Sequence, residues 1–355
     1  RSGGWQSLPR ITQSRRPPMK RLLFVFFYLC LLTAGAQSRF RVMTYNVENA
    51  FDTIHDEGKQ DFDFLPTGRL HWDTPKYRAK LSRIASVIAG VGEMQPPKLV
   101  ALCEVENARV IEDLLHHTRL HSFNYHYCIT ESADRRGIDV ALLYQPSAFH
   151  LLYMDTLRVM PTNKHENPTR DILHVCGLVP SGDTLSVFVV HLPSRRGGVR
   201  RTMPYRCRVA QRLRQEIDVL TRDGRDRKVV IMGDFNDEHT DPSIATVLEA
   251  RKWTDAIQPP FLCVLTADLK AANGIRGTHK FQGRWAQLDQ IIVNDRLLTT
   301  EGLHTSPKDC FIFTDAPLLK YDAGDHGVVP YRSFLGSFYQ GGFSDHLPVV
   351  VDFYY

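Results

Sequence analysis

The sequence predicts an α+β fold in which two β-sheets pack together and helices cover the outside. Three observations predict it. Short runs rich in Val, Ile and Leu, each bounded by turn residues, recur along the chain and read as strands. Stretches with helical periodicity are fewer than these strands. Some of the runs are apolar without alternation, as strands buried on both faces are. The composition agrees: 355 residues, 43% hydrophobic and 23% charged, are enough to bury a large core. That excludes a disordered tail, a collagen-like fibre and a small disulfide-stapled scaffold.

Taken in order, residues 1–18 precede the first methionine and read as upstream sequence outside the native protein. Residues 19–36 read as a secretory signal peptide. Met19-Lys20-Arg21 is a positive start, residues 22–32 are an unbroken apolar run, and Ala34-Gly35-Ala36 is an A-x-A exit. The run falls short of the roughly 20 residues that a membrane span needs, so stable membrane insertion is not expected. The expected location is therefore secreted or periplasmic, with cleavage near Ala36. Residues 37–355 read as a single domain, expected to be a monomer. The net charge of +5 is borrowed from the leader, since residues 37–355 carry 38 bases against 39 acids. A globally basic, nucleic-acid-coating protein is thereby excluded. Six cysteines remain, none in a C-x-x-C or other zinc spacing, and no bridge is assigned.

Within the domain, strands are predicted at residues 40–45, 99–103, 138–144, 185–190, 228–232, 288–293 and 348–353. Helices are predicted at 76–89, 109–117 and 203–220, the last from Val209, Leu213, Ile217 and Leu220 recurring every three or four residues. The informative residues stand at strand ends. Residues 40–45 run into Asn46-Val47-Glu48-Asn49, residues 99–103 into Glu104-Val105-Glu106-Asn107, residues 185–190 into His191, and residues 228–232 into Gly233-Asp234-Phe235-Asn236-Asp237. Ser344-Asp345-His346 precedes the last strand. Taken singly each is an ordinary turn, cap or surface residue. Together they supply the amides, carboxylates and imidazoles that metal-assisted hydrolysis needs, on rigid mounts. Asp139 and Asp289 differ, each being a lone carboxylate inside an apolar strand. Burying an unpaired charge is costly, so each needs a donor or cation, either an imidazole or an arginine.

The segments TYNVEN, LCEVEN, RRGIDVALLY, VHLPSRRGG, IMGDFND, LDQIIV and SDHLPV, running from Tyr45 to Val349, together resemble the endonuclease/exonuclease/phosphatase (deoxyribonuclease-I-like) superfamily. HLPSRRGG, GTHKFQGRW and the PYRSF…GGFSDH ending look like a secreted bacterial branch of it. The resemblance implies a four-layer αββα sandwich and a metal-dependent phosphoric ester hydrolase. Glu104 would be the main ligand of a divalent cation, with Asn46 beside it and Asp345 approaching it or a second metal. The oxygen donors suit Mg²⁺, with Mn²⁺ or Ca²⁺ as alternatives. His346, oriented by Asp289, would be the general base or an electrostatic partner. Asp234 would position the attacking water, Asn236 would hydrogen-bond the phosphate, and His191 would bind the scissile phosphate or assist the leaving group, with Asp139 as its orienting partner. Arg136 loosely matches a phosphate-facing arginine. With no G-x-S-x-G and no P-loop, direct attack by water is expected.

Substrate is less legible. Eight arginines and no acid occupy residues 195–214, and Arg195 and Arg196, with Arg200 and Arg201, follow His191 directly. They point to a polyanion, nucleic acid first, against the alternative of a solvated basic helix face. The aromatics of 330–343 read either as a substrate lid or as loop self-packing. The expected function is a secreted Mg²⁺-dependent phosphodiesterase, foremost a nuclease. The alternatives are a sphingomyelinase-like phosphodiesterase, a phosphomonoesterase, or a non-catalytic binding protein on the same fold. The inositol phosphatase branch is disfavoured because no W-C-D-R precedes the final SDH.

Overall fold

Along strand β1 (Arg39–Ala50), Phe40 and Val42 face one way, Met43 and Tyr45 the other, and all four are buried. A strand's side chains alternate, so a sheet buried on both faces must be covered twice. Phe40 and Val42 join a core formed with residues of a second sheet, among them Val187, Val230 and Ile291. Met43 and Tyr45 pack under helices instead, with Leu81, Ile84, Val110 and Leu114. The second sheet repeats the arrangement, its outer residues Phe188, Val229 and Ile231 meeting Val209, Leu213 and Ile217. The layers are helix, sheet, sheet, helix, as the resemblance implies.

The structure is a computed structural model that describes residues 2–4, 37–92, 95–162, 167–222, 227–254 and 259–355. The predicted signal peptide, and nearly all of the predicted upstream segment, lie outside the described residues. Arg39–Tyr355 forms one compact unit.

The remaining strands in chain order are β2 (Leu99–Val105), β3 (His126–Ile129), β4 (Asp139–Tyr144), β5 (His150–Leu157), β6 (Ile172–Leu178), β7 (Thr184–His191), β8 (Lys228–Asp234), β9 (Ala250–Arg251), β10 (Leu262–Val264), β11 (His279–Phe281), β12 (Arg284–Ala286), β13 (Asp289–Asn294), β14 (Cys310–Ile312), β15 (Leu319–Asp322), β16 (Gly327–Pro330), β17 (Phe334–Leu335), β18 (Phe338–Tyr339) and β19 (Val349–Tyr354). The helices are α1 (Thr74–Gly92), α2 (Ala108–His116) and α3 (Val199–Thr221). One sheet has the order β14-β19-β1-β2-β4-β3, the other β5-β6-β7-β8-β13-β10-β9, and three hairpins stand apart. Among the described residues no helix is long and apolar enough to cross a membrane.

All seven predicted strands and three predicted helices are present. The other twelve strands among the described residues were not predicted, β3, β5 and β6 among them. β5 is an edge strand with mostly exposed side chains, and β6 interrupts its apolar run with buried His174 and Gly177. A Cβ on Gly177 would sit 2.4 Å from the Phe149 ring, so packing forces the glycine that breaks the pattern. Several strands also run further than predicted. Asn46, Glu104, His191 and Asp234 lie within strands, not beyond their ends.

Candidate active site

One row of hydrogen-bonded neighbours crosses the second sheet. β7 and β8 are parallel with His191 beside Asp234, and β13 is antiparallel with Asp289 on Asp234's other side. Gly233 permits this. A Cβ there would meet the Val190 carbonyl oxygen at 1.9 Å, and its φ is +138°. The first sheet faces the row with two irregular strands. β1 and β2 pair in parallel through Asn46 and Cys103 and then lose register. β2 and β4 pair at Cys103 and at Val105, leaving Glu104 as the extra residue of a bulge, with φ +66°. Glu48 and Asn49 are also left-handed, at φ +53° and +54°. Such bulges re-aim side chains, at a backbone cost that a fold retains at working sites.

The last component is the loop before β19. Ser344 donates its hydroxyl to the Asn46 carbonyl (2.7 Å) and accepts the His346 amide (3.0 Å), fastening the loop to β1. His346 Nδ1 then meets Asp289 Oδ2 at 2.7 Å, and its Nε2 stands 3.9 Å from Asp234 Oδ2. His191 Nε2 approaches that same oxygen at 3.6 Å and Glu104 Oε1 at 4.0 Å. Asn46 donates to Asp234 Oδ2 (3.0 Å), and Asn236, at φ +49°, donates its amide to Asp234 Oδ1 (2.8 Å). Six segments thus come together here, those of Asn46, Glu104, His191, Asp234, Asp289 and His346.

Charge divides the acids. Burial raises the Asp234 carboxyl to about 7 against the pull of His346, with Asp289 adding to the rise. Burial would raise Glu104 too, but Arg136, His191 and His346 hold it well below the usual carboxylate range. Asp345 is likewise held down against burial by His346, Arg332 and His279. Arg136 reaches Glu104 Oε2 at 3.2 Å, and Arg332 reaches Asp345 Oδ2 at 2.7 Å. The imidazoles split as well. Burial would lower His346, but Asp289, Asp234 and Asp345 raise it well above its ordinary value. Burial, with Arg170 and Arg136, pushes His191 well below.

A divalent cation needs ligands that are already deprotonated. Glu104 and Asp345 meet that condition. Glu104 Oε2 is taken by the Asn49 amide and Arg136, and Oε1 faces the His191 ring at 4.0 Å. Asn46 adds a neutral amide one strand away. Two triads also bring donor atoms within 4.8 Å of one another, His279–Asp345–His346 and Asp234–Asp289–His346. His346 belongs to both, and its Nδ1 is already committed to Asp289. So sparse an oxygen set fits a hard cation that keeps waters and accepts a substrate oxygen.

Two expected roles are corrected. Asp139 does not stand behind His191. Its carboxylate accepts the Thr130 hydroxyl and the Ser132 amide (3.0 Å), and His191 Nδ1 is buried without a partner. Arg195 does not reach for substrate. It donates to the Asn236 carbonyl (2.6 Å) and pairs with Asp241 (2.6 Å), bracing the Asp234–Asp237 loop. Arg196 is exposed and lines a cleft of about 610 Å³ with Glu104, Arg136, Arg332 and Asp345. The sequence reading gave no role to Glu48, Lys80, Ser344, Arg332 and His279. Lys80, buried in α1, donates to Ser333 Oγ (2.6 Å) and the Phe343 carbonyl (2.7 Å), tying the Arg332 loop down. His279 stacks near His346, with centroids 4.8 Å apart. Glu48, His279, Arg332 and Ser344 stand in the TYNVEN, GTHKFQGRW, PYRSF and GGFSDH segments, while Lys80 carried no signal. In the 330–343 segment Phe334 packs on Trp72 and Tyr339, so that part is loop self-packing.

Fold and site together define a metal-dependent phosphoric ester hydrolase. The chain belongs to the endonuclease/exonuclease/phosphatase family, whose model matches residues 41–354. No curated protein matches it. Among solved structures it is similar to an endonuclease/exonuclease/phosphatase family protein from Bacteroides thetaiotaomicron (15% identity, 90% of this chain and 99% of that one, TM-score 0.57). A mannosyl-6-phosphatase from the same organism is similar too (16%, 89% and 100%, 0.57). So is TDP2 of D. rerio, complexed with a single-strand DNA product (14%, 89% and 99%, 0.54). At these identities the likeness concerns the fold.

Proposed function

We propose that the protein hydrolyses phosphodiester bonds in nucleic acid by direct attack of water, with Mg²⁺ as its cation. The observation that carries the reading is the shared position of Asp234. Two imidazoles point at one oxygen of its carboxyl, His191 Nε2 from 3.6 Å and His346 Nε2 from 3.9 Å, and burial raises that carboxyl to about 7. Asp234 accepts the proton of the attacking water, a task suited to a group titrating near the working pH. The His346 imidazolium, backed by Asp289, stabilises charge developing on the phosphoryl oxygens. Asn236 and Arg136 orient the phosphate, and His191 hydrogen-bonds the phosphate or the leaving oxygen, which takes up a proton from water. A divalent cation at Glu104 and Asp345, when bound, supplies neutralisation of the phosphate charge. Export follows as a second proposal from the charged start, apolar run and A-x-A exit of residues 19–36.

A phosphomonoesterase is the competing reading, favoured by the likeness to a mannosyl-6-phosphatase. An assay of the purified protein on plasmid DNA, RNA, sphingomyelin, a bis-aryl phosphodiester and a sugar monophosphate, with and without chelator, separates them. Chelator-sensitive cleavage of nucleic acid is expected. Turnover of the sugar monophosphate alone would replace the nuclease reading by the phosphatase one, and turnover of sphingomyelin by the lipid one.

A further inference from the structure

The catalytic cleft does not end at Arg136. Arg136 and Ser194 line two cavities at once: the cleft that holds Glu104 and Asp345, and a side cavity of about 570 Å³. The side cavity lies between the Asp134–Arg136 turn, the chain leading into β6, and the first turns of α3. Among the described residues its lining is mainly basic, with Arg135, Arg136, Arg170, Arg201 and Arg208 beside the carboxylate of Asp134. That carboxylate is already engaged, by Arg170 at 3.2 Å and by the Arg136 amide at 2.8 Å.

Two buried atoms in its wall lack partners. Arg170 is 8% exposed, and its terminal nitrogens are used on Asp134 and on the Leu192 carbonyl (2.7 Å), but its Nε has no hydrogen-bond partner. The neighbouring Thr169 hydroxyl is in the same condition. Both atoms are closed to solvent, so a ligand oxygen reaches them only if the wall shifts. Beside them Tyr205 exposes its ring, with the Arg208 guanidinium 5.8 Å from its centroid. A cationic wall next to a flat ring is the environment that holds a phosphate together with an attached sugar or base.

We propose that this side cavity is a second phosphate subsite. It holds a phosphate of the substrate other than the one being cleaved, with the adjoining nucleoside against Tyr205. The inference rests on the phosphodiesterase reading and deepens it, because only a strand with several phosphates fills the cleft and the side cavity together. Arg135 and Arg201 are exposed and lie outside the catalytic row, so they test the subsite without disturbing the chemistry.

The experiment compares the full-length protein with R135A/R201A on two substrates, bis(4-nitrophenyl) phosphate with one phosphate and a single-stranded decanucleotide with nine. The variant should keep the first within about twofold and raise KM for the second by about tenfold or more, with kcat held. R135K/R201K should recover much of that loss. In chelator, where turnover stops, anisotropy of a labelled decanucleotide measures binding alone, and its salt dependence should flatten by about 0.7 in log–log slope per arginine removed. Equal losses on both substrates, or unchanged KM and salt slope for the decanucleotide, would overturn the subsite. Arginine-dependent binding without cleavage of either substrate would keep the subsite and end the phosphodiesterase reading. Cleavage without arginine dependence would do the reverse.

Discussion

His346 and His191 point their Nε2 atoms at the same oxygen of Asp234, from 3.9 and 3.6 Å, yet they are opposite in charge preference. The difference lies one contact further out. Behind His346 stands Asp289 at 2.7 Å, with Asp345 adjoining. Behind His191 there is no acceptor, and the nearby charges are Arg170 and Arg136. In a buried site where water cannot screen, such neighbours decide whether an imidazole is a cation or a neutral donor. One residue type therefore carries two charge preferences within one site.

The sharpest way to break that comparison is to remove each half. His346→Ala should lower kcat by about 10²–10⁴-fold with an unchanged circular dichroism spectrum, and Asp234→Asn by a similar factor. His191→Asn should cost about tenfold, the contribution of a neutral hydrogen bond. Equal losses at His191 and His346 would mean that their charge states do not distinguish them. Glu104→Gln tests the ionised acids. Calorimetric titration of Mg²⁺ should weaken by more than the 10–100-fold that roughly follows loss of an outer partner of a metal ligand. An unchanged titration would remove Glu104 from the cation site.

The pH profile sharpens the comparison next. The base form of Asp234 is lost as pH falls through about 7, so kcat/KM should decline there with unit slope. The alkaline limb belongs to His346, whose raised value keeps the imidazolium present well above its ordinary range and loses it only as pH rises further. Asp289→Asn removes the leading cause of that rise. The alkaline limb should move to lower pH and kcat should fall by about tenfold. A limb that stays in place would assign it to another group.

How far the sequence disclosed this arrangement depended on what kind of force placed each residue. Asn46, Glu104, His191, Asp234 and Asp289 sit on apolar strands, and burial leaves a periodic trace. The residues that set their charge leave none. Arg170, Arg332 and Lys80 are single cations, brought in by loops whose course depends on tertiary contacts such as Ser333 to Glu48 at 2.6 Å. Of the loop arginines that point to a polyanion, Arg195 misled, whereas those of the helix fit the alternative of a paired basic face. Arg195, Arg206, Arg212 and Arg214 are paired with Asp241, Asp237, Glu216 and Asp218, acids that stand close by in space or one turn along the helix. A cation's count along the chain does not reveal whether an acid already neutralises it. The bulge at Glu104 was illegible for a related reason, since register is a property of two strands and not of one.

Asp139 provides the smallest effect and the control for the comparison, a strand carboxylate near the site with no imidazole in front of it. Burial raises it to about 6, against the opposing hydrogen bonds of Thr130 and Ser132. A folded-state value above the unfolded one means that the fold prefers the protonated acid. Its stabilising contribution is complete below the model value of 3.8 and is lost as pH rises through about 6. Asp139→Asn keeps an acceptor for both donors and removes the charge. Activity should stay within about twofold, and at pH 8 the variant should be more stable by about 1–2 kcal/mol in urea denaturation. That gain should vanish near pH 4, where the wild-type carboxyl is protonated too. A tenfold loss of activity would instead return Asp139 to the catalytic row, and a gain independent of pH would trace the effect to packing and not to charge.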